Sequence, residues 1–264
     1  MMSMTISNTL WGATISWVVT RMSDHQQLLA NFERLGLHNM REYYPVFMEQ
    51  VDQADITLTS ALLEMTDKEL TFQADKKTER AIHRARFPKI KTFDAFEFDF
   101  QPSLNQKEIL ELRHLSFMDR CENIVFIGSP GVGKTHLAIA LGIEACRQGK
   151  RTLFINCHEL LLRLRTAYEK GTLERVLRRY AKYELLIIDE IGYLPIEKHE
   201  ADLLFQLLNM RYETRSTIFT TNIALSGWGE LFKSPETAAA ILDRMIHHVK
   251  IYKITGQSYR MKRE

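Results

Sequence analysis

The chain has 264 residues, 45% of them hydrophobic and 26% charged, with a formal net charge of +2. That is enough chain to bury one full domain plus a smaller appendage, and its charge balance supports a polyanion partner only where cations cluster locally. Cys121, Cys146 and Cys157 form no C-x-x-C pair and show no zinc-like His spacing, which excludes a disulfide framework and fits a reducing cytosol.

The apolar stretch at 10–20 is too short to span a bilayer and lacks the basic lead-in of a signal peptide, so the chain reads as soluble and cytoplasmic, with no membrane partner. Residues 1–21 read as a leader, disordered or extended. Met22 followed by Ser23-Asp24 resembles a natural start with a helix cap. From 23 to about 44, Leu28, Leu29, Phe32, Leu35 and Leu37 recur at helical spacing, with Gly36 ending a first helix and Pro45 interrupting the pattern. The stretch 57–85 predicts two further helical segments, and 22–90 together predict a small all-helical N-terminal domain. Its last part is basic, with Lys76, Lys77, Arg80, Arg84, Arg86, Lys89 and Lys91 against Glu79. Such a run is either a solvated helix face or a contact to a phosphate backbone. Pro88 breaks the helix, and Phe93, Phe96, Phe98 and Phe100, interleaved with acids, predict an extended linker laying aromatic rings on a second domain at 91–264.

A helix is expected over 105–118. Strands are expected at 123–127, 151–155, 184–189, 217–221 and 249–254, separated by helical stretches. This rhythm predicts an α/β domain with a parallel β-sheet covered by helices. After the first strand, Gly128-Ser129-Pro130-Gly131-Val132-Gly133-Lys134-Thr135 matches the phosphate-cradling pattern G-x-x-x-x-G-K-[ST], and a helix is expected over 136–148. The glycines let backbone N–H groups approach a polyphosphate, and the helix N-terminus adds positive charge. Lys134 can reach the β- and γ-phosphates, and the Thr135 hydroxyl can hold Mg2+.

The third strand, Leu185-Leu186-Ile187-Ile188, ends in Asp189-Glu190. Beside a phosphate loop, Asp189 suits a metal ligand and Glu190 suits a general base for the attacking water; the bland reading is a strand ending in exposed acids. Asn222, after the fourth strand, either senses a γ-phosphate or forms a turn.

These stretches, with Asp243-Arg244-Met245 and Gly256-Gln257-Ser258-Tyr259-Arg260, resemble the AAA+ ATPases of the helicase-loader clade, and most closely the IstB-like helper ATPases of insertion sequences. The resemblance runs from about Met22 to the C-terminus. It implies an ATP-hydrolysing, DNA-bound homo-oligomer that recruits or stimulates a transposase. It also implies a nucleotide site extending from Gly128 to His136, with Asn222 as first sensor, Arg244 as an arginine finger toward a neighbouring subunit and Arg260 as second sensor. Between the second and third strands stand Arg163, Arg165, Lys170, Arg175, Arg178, Arg179 and Lys182, facing only Glu169 and Glu174. In this clade that position lines the nucleic-acid path, and Arg175, Arg178, Arg179 and Lys182 share one helix face. The absence of a recognition motif implies double-stranded DNA held by its backbone with little sequence preference; the alternative is a solvated surface. A replicative helicase loader would use the same ATPase unit. A small-molecule kinase is disfavoured, because the acid pair suits water activation and no arginine-rich lid is evident.

Overall fold

The computed structural model describes residues 22–53, 55–233 and 235–261; the leader expected at 1–21 lies outside them. Two compact units divide the chain between Asp75 and Lys76.

The first unit holds α1 (Asp24–Arg34), α2 (His38–Asp52) and the first part of α3 (Leu58–Ala85). Ser23 accepts the Gln26 N–H while the Gln26 side chain accepts the Ser23 N–H, a reciprocal cap at the expected start. Gly36, at φ +71°, lets the chain reverse, and the Gly36 and Leu37 N–H groups return to Glu33 and Phe32 carbonyls. Pro45 does not interrupt the helix: α2 runs through it. Pro45 is exposed, so the carbonyl it deprives of a donor can turn to water, while Met40 and Phe47 on the same helix are buried. The two segments expected over 57–85 are likewise one helix. No Gly or Pro interrupts Leu58–Ala85, and the polar stretch from Gln73 to Glu79 continues the helix in solvent. Phe32, Met40, Phe47, Ala61 and Met65 form this unit's core. Buried Glu69 accepts the Asn39 and Met40 N–H groups at 2.8 and 3.1 Å, placing negative charge at the start of α2.

The second unit begins at Lys76, earlier than the boundary expected near residue 90, because the last turns of α3 and the chain after them pack on its core. Ile82, Phe87 and Phe98 pack against it, Phe93 and Phe96 are buried in it, and Phe87 meets Phe154 edge-on at 6.3 Å. The helix expected over 105–118 is broken into α4 (Gln106–Glu111), a 3-10 turn (Leu112–His114) and α5 (Ser116–Asp119), with Leu115 at φ +57°. Leu112, Leu115 and Phe117 are all buried, and a continuous helix would turn Phe117 away from Leu112.

Five strands follow: β1 (Asn123–Gly128), β2 (Thr152–Asn156), β3 (Leu185–Ile191), β4 (Ser216–Thr221) and β5 (Val249–Ile254). They form one parallel sheet in the order β2-β3-β4-β1-β5. The helices are α6 (Lys134–Arg147), α7 (Cys157–Glu169), α8 (Leu173–Ala181), α9 (Lys198–Arg211), α10 (Trp228–Leu231) and α11 (Pro235–Ile246). Alternation along each strand feeds two cores. Ile124, Phe126, Leu185 and Ile187 pack with α6, whereas Val125, Ile127, Leu186 and Ile188 pack with residues of α7, α8, α9 and α11. Among the described residues no helix is long and apolar enough to cross a membrane.

Candidate active site

β1 delivers the chain to the phosphate loop, and α6 begins at Lys134, so the positive end of its dipole stands at the loop. Gly131 has φ +84° and Gly133 φ +104°. A Cβ at Gly131 would lie 2.0 Å from Ser258 Oγ, and one at Gly133 would lie 2.5 Å from the Phe96 ring. These glycines are required twice, by backbone conformation and by the side chains that close on them. The Tyr259 N–H donates to the Gly131 carbonyl at 2.9 Å, tying the C-terminal segment to the loop. Lys134 Nζ donates to the carbonyls of Gly128 and Ser129 at 2.7 and 2.9 Å. Burial lowers its pKa, opposed by the nearby Asp189 and Glu190 carboxylates.

At the end of β3 the pairing with β4 shifts between Ile188 and Ile191, and Glu190 sits at φ +61°. A non-glycine residue in that region is strained, and here the irregularity turns the Glu190 side chain out of the sheet. Asp189 stays buried; its Oδ1 accepts Thr135 Oγ1 at 2.8 Å and Thr220 Oγ1 at 2.6 Å. The Thr220 hydroxyl also accepts the Glu190 N–H at 2.9 Å, so one side chain steadies both acids. Burial raises the Asp189 pKa, while the bonds from Thr220 and Thr135 hold it down.

One cavity of about 660 Å³ brings together the loop from Pro130 to His136 with Glu190, Asn222 and Arg260. The hydroxyl and carboxylate oxygens of Thr135 and Asp189 fit a magnesium ion, because adjacent ligands 2.1 Å from an octahedral centre stand about 3.0 Å apart. His136 lines the same cavity as part of its wall: its Nε2 meets the Thr92 carbonyl at 2.7 Å, its ring stands edge-on to Phe96, and burial lowers its pKa.

Three parts of this site escaped the sequence analysis. Asn156 closes β2 and donates through Nδ2 to Glu190 Oε2 at 2.8 Å. Thr220 bridges the two acids. Pro88, expected to break a helix, Lys91 of the basic run and Phe96 of the expected linker form a wall of the cavity. A polar residue ending a buried strand was a usable signal for Asn156, as it was for Asp189.

Arg244 is not among the residues lining this cavity. On α11 its Nε donates to Asn209 Oδ1 at 3.2 Å, its Nη1 to Asp243 Oδ2 at 2.7 Å, and its guanidinium lies 4.7 Å from the Tyr212 ring centre. The basic residues expected to meet DNA fall into two sets. Arg175, Arg178, Arg179 and Lys182 line an exposed concavity on α8, while Leu177 and Tyr180 of the same helix are buried. On α7, Arg163 bonds Glu159 and approaches the Tyr180 hydroxyl at 3.5 Å, and Arg165 reaches Glu200 at 3.3 Å. Lys170 is exposed at the end of α7. On α3, Lys77, Arg80 and Arg84 are exposed and Lys76 pairs with Glu79.

Residues 30–264 match the family of IstB-like ATP binding proteins. The chain belongs to that family. This IstB-like chain is 44% identical, over 91% of its length and 96% of the relative's, to an ATP-binding protein of insertion sequence IS232 from Bacillus thuringiensis subsp. berliner. It is 40% identical to an ATP-binding protein of insertion sequence IS21 from Pseudomonas aeruginosa, covering 87% of this chain and 86% of that one. Its fold is similar to that of DnaI, with TM-score 0.53 and 21% identity over 62% of this chain and 91% of that one. Replication initiator DnaA, solved with AMPPCP and single-stranded DNA, has the same TM-score at 21% identity over 64% and 50% of the two chains. The IstB-like chain thus has the α/β fold of the AAA+ domains.

Proposed function

We propose that the chain hydrolyses ATP as a homo-oligomer on double-stranded DNA, and that it thereby assists insertion-sequence transposition by recruiting or stimulating a transposase. The observation that carries the ATPase reading is the convergence of Lys134, Thr135 and Glu190 on one cavity, with buried Asp189 bonded to Thr135 at its wall. Lys134 supplies charge to the β- and γ-phosphates, and Glu190 accepts a proton from the attacking water. Asn222 and Arg260 face the same space and serve as sensors of the γ-phosphate. Thr135 and Asp189 would hold magnesium, which supplies charge neutralisation on the phosphate oxygens when bound.

The proposed DNA contact is the exposed basic face of α8, aided by Lys170, Arg163 and Arg165 on α7 and by Lys76, Lys77, Arg80 and Arg84 on α3. Cations on a helix face without a base-reading element suit binding along the phosphate backbone. The helices of 22–90 are the proposed transposase contact, and the cytoplasm is the compartment this reading requires. The relatives named for insertion sequences, at 44% and 40% identity over most of both chains, favour transposition over helicase loading.

Arg244 lies outside its own cavity, which suits a finger acting on the neighbouring subunit's nucleotide, because its charge then completes a site only in the assembled ring or filament. Glu190→Gln and Arg244→Ala should each nearly abolish turnover while retaining ATP. Mixed on long DNA, they should recover part of it, since some interfaces then pair an intact Glu190 with an intact Arg244. No recovery, in mixtures shown by native mass measurement to contain hybrids, would refute the action in trans.

A further inference from the structure

Away from the nucleotide cavity, Glu213, His247 and His248 bring three ligand atoms within 4.8 Å of one another. They come from two places in the chain, the turn after α9 and the two residues between α11 and β5, so the fold and not local sequence assembles them. Glu213 Oε1 lies 3.5 Å from His247 Nδ1 and 3.8 Å from His248 Nε2. Ligand atoms bound 2.0–2.2 Å from a tetrahedral centre stand about 3.4 Å apart, so both separations need only small side-chain adjustments to share one ion. Two imidazoles and one carboxylate select zinc or a neighbouring transition metal over magnesium or calcium, which prefer all-oxygen sites. Glu213 adopts φ +55°, and its turn is closed by the Thr214 and Arg215 N–H groups bonding to the Arg211 carbonyl, so the carboxylate is presented by fixed backbone.

We propose that Glu213, His247 and His248 form a binding site for a zinc-class divalent cation, with water completing the coordination. The site adjoins the Arg244 support. His247 Nδ1, the atom facing Glu213, is also 2.8 Å from the Tyr212 hydroxyl, and the Tyr212 ring lies beneath the Arg244 guanidinium. Metal on that nitrogen displaces the Tyr212 contact, which couples occupancy to the ring that carries Arg244. The competing account of the cluster is a pair of histidines that ion-pair with Glu213 only when protonated.

The test is titration of tag-free full-length protein with Zn2+ by calorimetry, and with Co2+ by visible absorption, which distinguishes four-coordinate from six-coordinate cobalt. One equivalent should bind with a four-coordinate cobalt spectrum. His247→Ala with His248→Ala should weaken binding by about 100-fold or more, and Glu213→Gln by about 10-fold or more, with thermal unfolding of the metal-free variants unchanged. These exposed side chains make Glu213→Gln the safer variant should the double substitution impair folding. No saturable binding, a six-coordinate spectrum, or equal affinity in the variants would overturn the proposal. Because the readout is metal affinity, its failure would leave the ATPase reading untouched.

Discussion

Asn156 makes two bonds in opposite directions: its Nδ2 donates to Glu190 Oε2 at 2.8 Å, and its Oδ1 accepts the His158 N–H at 2.9 Å. The side chain that caps α7 therefore also restrains the proposed general base. A strain on α7, which carries Arg163 and Arg165, would be felt at Glu190 through this single amide.

Asn156→Ser separates the two roles. Serine caps a helix about as well as asparagine, so stability should change by less than about 0.5 kcal/mol, but the donor to Glu190 is lost. A hydrogen bond between solvent-exposed groups contributes about 0.5–1.5 kcal/mol, so freeing Glu190 should raise DNA-free ATP turnover by about 2- to 10-fold and reduce the further stimulation by DNA. Steady-state phosphate release with and without DNA measures both. Unchanged basal turnover would mean that the bond does not restrain Glu190.

The environment of Asp189 gives a pH prediction. Burial raises its pKa and Thr220 lowers it, and the carboxylate must be ionised to hold magnesium. Activity should fall as pH falls through this raised pKa. Thr220→Val removes the bond at 2.6 Å and should shift the acid limb of the kcat profile upward by about one pH unit. Stability has the opposite slope: above the ordinary carboxylate value the native state holds the proton longer than the unfolded chain, so raising pH through that window destabilises. An acid limb that stays in place would remove Asp189 from the metal role.

Arg211 is buried, and among the described residues no acid is one of its hydrogen-bond partners. Its guanidinium donates to the carbonyls of Tyr180, Tyr183 and Ser216 and to Thr217 Oγ1, joining the end of α8 to the start of β4. Arg211→Ala strands these acceptors and should cost about 3–5 kcal/mol in urea unfolding; Arg211→Lys should recover only part, because three donors cannot reproduce the planar fork. A loss below about 1 kcal/mol would show that water replaces the guanidinium.

Replacing Arg175, Arg178 and Arg179 together by Ala should weaken binding to unrelated duplexes about equally. It should also reduce the slope of log affinity against log salt by about 3, one counterion per lost phosphate contact. Anisotropy titrations at several salt concentrations test this, and a loss confined to one sequence would instead indicate base readout.

The phosphate loop and Asp189-Glu190 were legible because their chemistry demands particular residue types in contiguous order. The parallel strands were legible because burial on both faces leaves continuous apolar runs such as Leu185 to Ile188. Ser23 and Gly36 were equally readable, since a cap and a reversal are settled within a few residues.

Tertiary structure decided what depends on residues far apart in the chain. Pro45 stays helical because its neighbours on the opposite face are buried, and Leu115 breaks a helix because Leu112, Leu115 and Phe117 must all enter one core. Composition could not show that Phe96 and Ser258 would close on Gly133 and Gly131, that Asn156 would reach Glu190, or that Arg244 would rest on Tyr212. Propensity and periodicity act over one or two turns, whereas these contacts exist only once the parallel sheet has brought its strand ends together.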